Sequence, residues 1–136
     1  MQMAWEFKNG MPIYLQIVDG IKTRIAGGTL PPGSRLPSVR DLAAQAGVNP
    51  NTMQRAMIQL EQEGLLYTQR TSGRYVTEDE TKMKELRSSL SEKYIQELFE
   101  QLSRLGLTRE EIIEEVSGWR PEAETQPERH PAKTEQ

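Results

Sequence analysis

The sequence predicts a mainly α chain with one small β-hairpin, organised as a compact N-terminal part and a short two-helix C-terminal region. Three observations carry this expectation. Apolar residues recur at three- or four-residue spacing through most of the chain. Two short β-prone runs flank Thr71-Ser72-Gly73. Residues with N-capping chemistry, Ser38, Asn49 and Thr108, stand just ahead of separate helical stretches.

The first helix opens at Pro12, because a first-turn proline gives up an N–H that has no intrahelical partner anyway. Ile17, Ile21 and Ile25 share one face with Tyr14 and Val18 beside them, and Gly27-Gly28 ends the stretch. Leu30-Pro31-Pro32-Gly33 cannot continue it. Ser38 caps a second, short helix, with Asp41 where a capping box would close; Leu42, Ala43 and Ala46 form its inner side and Gly47 its stop. Asn49 caps a third helix that has Pro50 at its first position, Met53, Ala56, Met57 and Leu60 facing inward, and Gly64 at its end. Two helices joined by a tight turn through Gly47 have the spacing of a helix-turn-helix. Residues 65–70 and 74–77 then switch from helical to extended period, and a hairpin directly after a helix-turn-helix makes a winged helix.

A polar stretch at 78–81 leads into a long helical pattern in which Met83, Leu86, Leu90, Tyr94, Leu98, Leu102 and Leu105 recur, joined by Ile95 and Phe99, until Gly106. Thr108 caps a last helix with Glu111 at the box position and Leu107 and Ile112 placed as a hydrophobic staple. Ile112, Ile113, Val116 and Trp119 form its apolar side. From Arg120 onward the chain is rich in Pro, Glu and Gln, the composition of a disordered tail. The expected organisation is therefore 11–79, 80–119 and 120–136.

Composition narrows the function classes. Hydrophobic residues make up 35 % and charged residues 27 % of 136, which suits a soluble globular chain. No apolar run reaches the roughly 18 residues of a membrane span, and the start lacks the regions of a signal peptide, so no membrane partner and a cytoplasmic location are expected. Cysteine is absent, which excludes thiol chemistry, and the single histidine, His130, gives no basis for a metal centre. No cofactor is expected. The net charge of −3 is unevenly spread: residues 1–77 carry eight Lys/Arg against five Asp/Glu, and residues 78–136 nine against fifteen. A basic front half and an acidic back half suit a DNA-facing domain joined to a part that stays off DNA.

The third helix displays Asn51, Thr52, Gln54 and Arg55 away from its apolar stripe. Side-chain amides can pair bidentately with adenine, guanidinium with guanine or phosphate, and the threonine methyl can touch that of thymine. Capping by Asn49 and ordinary solvation account for these residues equally well when the helix is taken alone. Arg35, Ser38 and Arg40 lie at or before the second helix, the element that crosses the phosphate backbone in this type of docking. Arg70, Ser72, Gly73 and Arg74 surround the wing tip, where glycine allows close approach to a groove. Their joint placement around one surface points to double-stranded DNA as the partner. Glu110-Glu111 and Glu114-Glu115 read as the solvated side of an amphipathic helix, and no nucleophile–base pair or phosphate loop suggests an enzyme.

The runs Leu36–Ala43, Gly47–Thr52, Leu60–Leu66 and Gly73–Val76, extended by Pro12–Ile17 and Pro32-Gly33, resemble the GntR family of bacterial regulators over about residues 11–79. That resemblance implies a winged helix binding a palindromic operator as a dimer, usually to repress, with Arg40, Asn49, Asn51, Thr52 and the Gly73 region at the DNA. Pro50 and Thr71 depart from the family pattern, standing where many members place an arginine and a second wing glycine.

The C-terminal part is too short to enclose a metabolite pocket of roughly 300 Å³, and its two helices resemble the reduced region of the YtrA subfamily, which implies dimerisation and frequent association with transporter genes. The long apolar stripe would be buried by pairing with a second subunit, the alternative being packing back on the winged helix; Leu86, Leu90, Tyr94, Leu98, Phe99, Leu102, Ile112, Ile113 and Val116 are the expected homodimer contacts. No effector ligand is assigned.

Overall fold

A computed structural model describes residues 3–122. Its elements run in the order α1 (Ile13–Ala26), α2 (Val39–Ala46), α3 (Pro50–Gln62), β1 (Leu66–Gln69), β2 (Gly73–Val76), α4 (Glu80–Arg104) and α5 (Arg109–Gly118). The comparison of this order with the sequence expectation is close: a mainly α chain with one antiparallel hairpin. Pro12 itself occupies the N-cap of α1, one position earlier than expected. Most of the expected tail, residues 123–136 including His130, lies outside the described residues.

The caps form as the sequence chemistry dictates. Ser38 accepts a hydrogen bond from the Asp41 amide, the forward half of the expected box, and Gly47 closes α2 in the left-handed conformation at φ 70°. Asn49 accepts from the Asn51 amide with Pro50 in the first turn of α3. The hairpin pairs Leu66 with Val76, Tyr67 with Tyr75, Thr68 with Arg74 and Gln69 with Gly73. It gains a third rail from the segment before α2: Val76 N–H donates to Ser34 O at 2.9 Å and Leu36 N–H to Arg74 O at 2.9 Å.

The chain forms two compact units, Met1–Ser91 and Glu92–Gln136, so the division falls within α4. The core of the first unit joins Ile17, Ile21 and Ile25 of α1, Leu42 of α2, Met53, Met57 and Leu60 of α3, and Leu66 and Val76 of the hairpin. Met83, Leu86 and Leu90 of α4 belong to the same cluster. Leu86 and Leu90, at 8 % and 9 % exposure, are covered within their own chain, and the first compact unit runs through residue 91, beyond the expected boundary at 79. The reason is area: each buried leucine contributes about 1.5–3 kcal/mol, and the winged helix leaves an apolar strip that the first turns of α4 cover.

The N-terminal segment also belongs to this unit. Met3 is buried, and Trp5 and Phe7 pack against the core, with their rings stacked at 6.0 Å. The Arg24 guanidinium lies 4.5 Å from the Trp5 ring centre and donates to Ala4 O, and burial lowers its pKa from the ordinary value. Gln16 clamps the segment's end, accepting from Lys8 N at 2.8 Å and donating to Lys8 O at 2.9 Å. Gly20, in mid-helix, makes room for it: a Cβ there would stand 3.3 Å from the Trp5 ring.

In the second unit, Gly106 takes φ 90° after α4, and Thr108 and Glu111 form a complete capping box at the start of α5. Ile112 is almost wholly buried at 1 % exposure, outside the core cluster of the first unit. Phe99 and Leu102 are half-buried. Tyr94, Ile95, Leu98, Leu105, Ile113, Val116 and Trp119 remain exposed.

Candidate nucleic-acid interface

Helix α3 is held by its apolar stripe. Met53, Ala56, Met57 and Leu60 are fully buried, and this fixes which side chains face outward. Asn51 and Arg55 are exposed, and Thr52 and Gln54 half-buried. At the α3 N-terminus Asn49 takes up the first-turn amides, its side chain accepting from Asn51 and its carbonyl from Thr52 and Met53, so what this end offers an approaching phosphate is the positive end of the helix dipole. Arg40 is exposed in the first turn of α2, two residues beyond the Ser38 cap.

Arg55 does not project freely. Its guanidinium carbon lies 3.7 Å from the centre of the Tyr14 ring, so α1 restrains the side chain that α3 carries. Its charge remains exposed beside the helix.

At the wing, Arg70 and Thr71 are exposed in the turn, and Ser72 donates to Gln69 Oε1 at 3.4 Å. Gly73 takes φ 123°, a backbone conformation that favours glycine, and a Cβ there would stand 3.1 Å from Arg35 Nε. Arg35 is thereby laid along the wing base, with Tyr75 its bridge partner. A shallow groove between the wing and the start of α2 is lined by Arg35, Pro37, Ser38, Thr68, Gly73 and Arg74.

Arg74 departs from the expectation of a free wing-tip cation. Its Nη2 lies 3.3 Å from Glu61 Oε1, and its Nε is buried without a partner. The period-two register turns residue 74 to the same face as Val76, toward α3, whereas Arg70 lies in the turn and escapes this constraint. The structure thus brings Arg35, Ser38, Arg40, Asn49, Asn51, Thr52, Gln54, Arg55, Arg70, Ser72 and Gly73 into the first unit's α2, α3 and wing, with Arg74 turned inward among them. The carboxylate that turns it inward, Glu61, carries no sign of that role in the sequence beyond its place in the last turn of α3.

Elsewhere among the described residues, no group of three His, Cys, Asp or Glu could hold a metal ion, and no helix is long and apolar enough to cross a membrane.

A helix-turn-helix with a capped, polar-faced second helix and a glycine-tipped hairpin beside it defines a winged-helix DNA-binding regulator. Residues 13–76 match the family of bacterial regulatory proteins named gntR. The HTH-type transcriptional regulator YhcF of Bacillus subtilis is 40 % identical over 111 residues, covering 82 % of this chain and 92 % of that one. The transcriptional repressor YtrA of the same organism is 33 % identical over 114 residues, covering 81 % and 88 %. A GntR-family regulator from Listeria monocytogenes superposes with a TM-score of 0.76 at 38 % identity, covering 84 % of this chain and all of that one. The AraR DNA-binding domain, solved in complex with operator ORX1, superposes at 0.52 with 27 % identity over 57 % of this chain and 99 % of that one. The chain belongs to the GntR family of transcription regulators, with full-length relatives of the YtrA kind, and is a DNA-binding protein rather than an enzyme.

Proposed function

We propose that the chain is a cytoplasmic repressor that binds a palindromic operator as a homodimer, and that transporter genes are among its targets. The observation that supports the dimer is the second unit's surface: Leu98 of α4 and Ile113 and Val116 of α5 are 38 %, 42 % and 50 % exposed. A second copy would bury this surface, and its twofold symmetry would present two reading heads to successive major grooves. Repression follows by occluding the promoter, as the repressor names among the relatives support.

Within each half-site, Arg40 and the exposed Arg70 neutralise phosphate, Arg35, Ser38, Ser72 and Gly73 frame the backbone path, and Asn49 and Thr52 set the approach of α3. Asn51, Gln54 and Arg55 select bases. Selection of bound duplexes from a random pool tests this reading. The expected product is an inverted repeat binding two protomers, with affinity falling linearly in log–log form as salt rises. A single half-site bound by one protomer would refute the dimer, and no bound duplex at low ionic strength would refute the whole reading.

A further inference from the structure

The Glu61 carboxylate sits at the last turn of α3 and grips both strands of the wing. Its Oε2 accepts from Thr68 Oγ1, and its Oε1 pairs with Arg74 Nη2 at 3.3 Å. Thr68 and Arg74 are cross-strand partners, so one side chain holds a whole rung of the hairpin. The only rung beyond it is Gln69–Gly73, followed by the turn that carries Arg70.

We propose that Glu61 is a positioning residue that aims the wing relative to α3 for DNA binding. The inference rests on the DNA-docking reading above. The apolar rung Leu66–Val76 is anchored in the core, and backbone bonds from Val76 to Ser34 and from Leu36 to Arg74 tie β2 to the segment before α2. Glu61 adds a tie from α3 itself to both strands at the next rung on the same face, which fixes the wing's direction relative to that helix. Both members of the Arg74–Glu61 pair are only partly exposed to water, at 19 % and 26 % of their side chains, so solvent screens this pair less than a fully exposed one. Arg74 Nε is meanwhile buried unpartnered. The side chain therefore stays in this pose at a cost that its contact with Glu61 must offset. Preorganising the wing spares DNA binding the entropy of ordering it.

The sign of the effect separates this role from plain electrostatics. A carboxylate on a DNA-facing domain repels phosphate, so removing it should tighten binding if charge alone mattered. The latch makes the opposite demand. The full chain and its Glu61→Gln and Glu61→Ala variants would be titrated with the duplex selected above, with melting curves recorded in parallel. Binding should weaken about 5- to 30-fold in Glu61→Ala and less in Glu61→Gln, which keeps an acceptor.

Dimethyl sulfate reads both grooves, methylating guanine N7 in the major and adenine N3 in the minor. Loss of minor-groove protection with major-groove protection retained is the expected pattern. Binding equal to or tighter than wild type would overturn the proposal, as would uniform weakening of both protections alongside a collapsed melting temperature. Failure of the wild type to bind any duplex would instead sink the regulator reading itself.

Discussion

The first unit gathers most of its large aliphatic side chains into one core, from Ile17 and Leu42 through Leu60 to Leu90, with Met11 and Ile58 left exposed, and shows polar groups on α2, α3 and the wing. The second unit does the reverse. Ile112 is enclosed, yet Leu105 and Trp119 stand 73 % and 67 % exposed, among seven large apolar side chains left in the open. A single helix, α4, takes part in both regimes: Met83, Leu86 and Leu90 are buried, whereas beyond them Tyr94, Ile95 and Leu98 are exposed and Phe99 and Leu102 half-buried. The contrast teaches that one periodic apolar stripe can meet two fates: its first turns complete a core, and its later turns leave apolar side chains open, the surface proposed above for a second copy.

The sharpest way to break the comparison is to charge the open surface. Leu98→Arg combined with Ile113→Arg should leave the first unit's melting unchanged but convert a dimer into a monomer by light scattering. Operator affinity should fall by a factor of at least about 100, because each half-site must then be held without the avidity of its twin. If the doubly charged protein remained dimeric, the open surface would not be the seam.

The covered part of α4 predicts the complementary result. Leu86→Ala should cost about 2–4 kcal/mol of stability, through lost transfer energy and a cavity, while leaving the subunit count of the folded protein unchanged. A chemical denaturation curve alongside light scattering checks both halves. Removing residues 83–119 would confuse the two effects by stripping Met83, Leu86 and Leu90 from the core; the division at Ser91 is the cleaner boundary.

What the sequence disclosed, and what it withheld, follows the same line. Caps and stops are local chemistry: Ser38, Asn49, Thr108, Gly47 and Gly106 act through hydrogen bonds and backbone angles reaching no further than their own turn. They were legible, and so were the elements they bound. The partner of an apolar face is not local. Nothing between Met83 and Leu105 distinguishes leucines that meet the winged helix from those that meet solvent, since periodicity reports which face is buried and never against what. The fate of Arg74 was hidden for the same reason, because Glu61 lies thirteen residues away. The N-terminal segment did leave a signal, the alternation Met3-Trp5-Phe7 of an extended run with one buried side, but it is too short to announce a packing partner.

The DNA-facing surface divides in its turn into residues that position and residues that specify. Arg40→Ala should weaken binding to every sequence by roughly tenfold, about 1.4 kcal/mol, and lower the salt slope by about one. Asn51→Ala should change which base is preferred at one position per half-site, worth about 1–3 kcal/mol of discrimination. Repeating the random-pool selection with each variant separates the outcomes. A changed motif for Arg40→Ala, or an unchanged one for Asn51→Ala, would reverse the assignment.

The smallest effect concerns how α4 is seated on the first unit. Glu63, the C-cap of α3, pairs with Lys22 of α1 at 2.7 Å, and the Lys82 ammonium of α4 donates to the Glu63 carbonyl at 3.2 Å. Burial alone would raise the Glu63 pKa, but hydrogen bonds from Lys22 and Gln59 and the charges of Lys22 and Lys82 outweigh it, and the net shift is downward. A carboxyl group whose pKa is lower folded than unfolded stabilises the fold above its unfolded pKa, and that contribution disappears as pH falls through the folded value. Because the pair is more than one-third exposed on the glutamate side, its worth is a few tenths of a kcal/mol, or about one to three degrees in Tm at neutral pH. Glu63→Gln should therefore melt slightly below wild type at pH 7, and the two curves should converge as pH falls through the lowered folded-state value. A gap that stayed constant with pH would mean that the link between α1, α3 and α4 depends on the shape of the side chain and not on its charge.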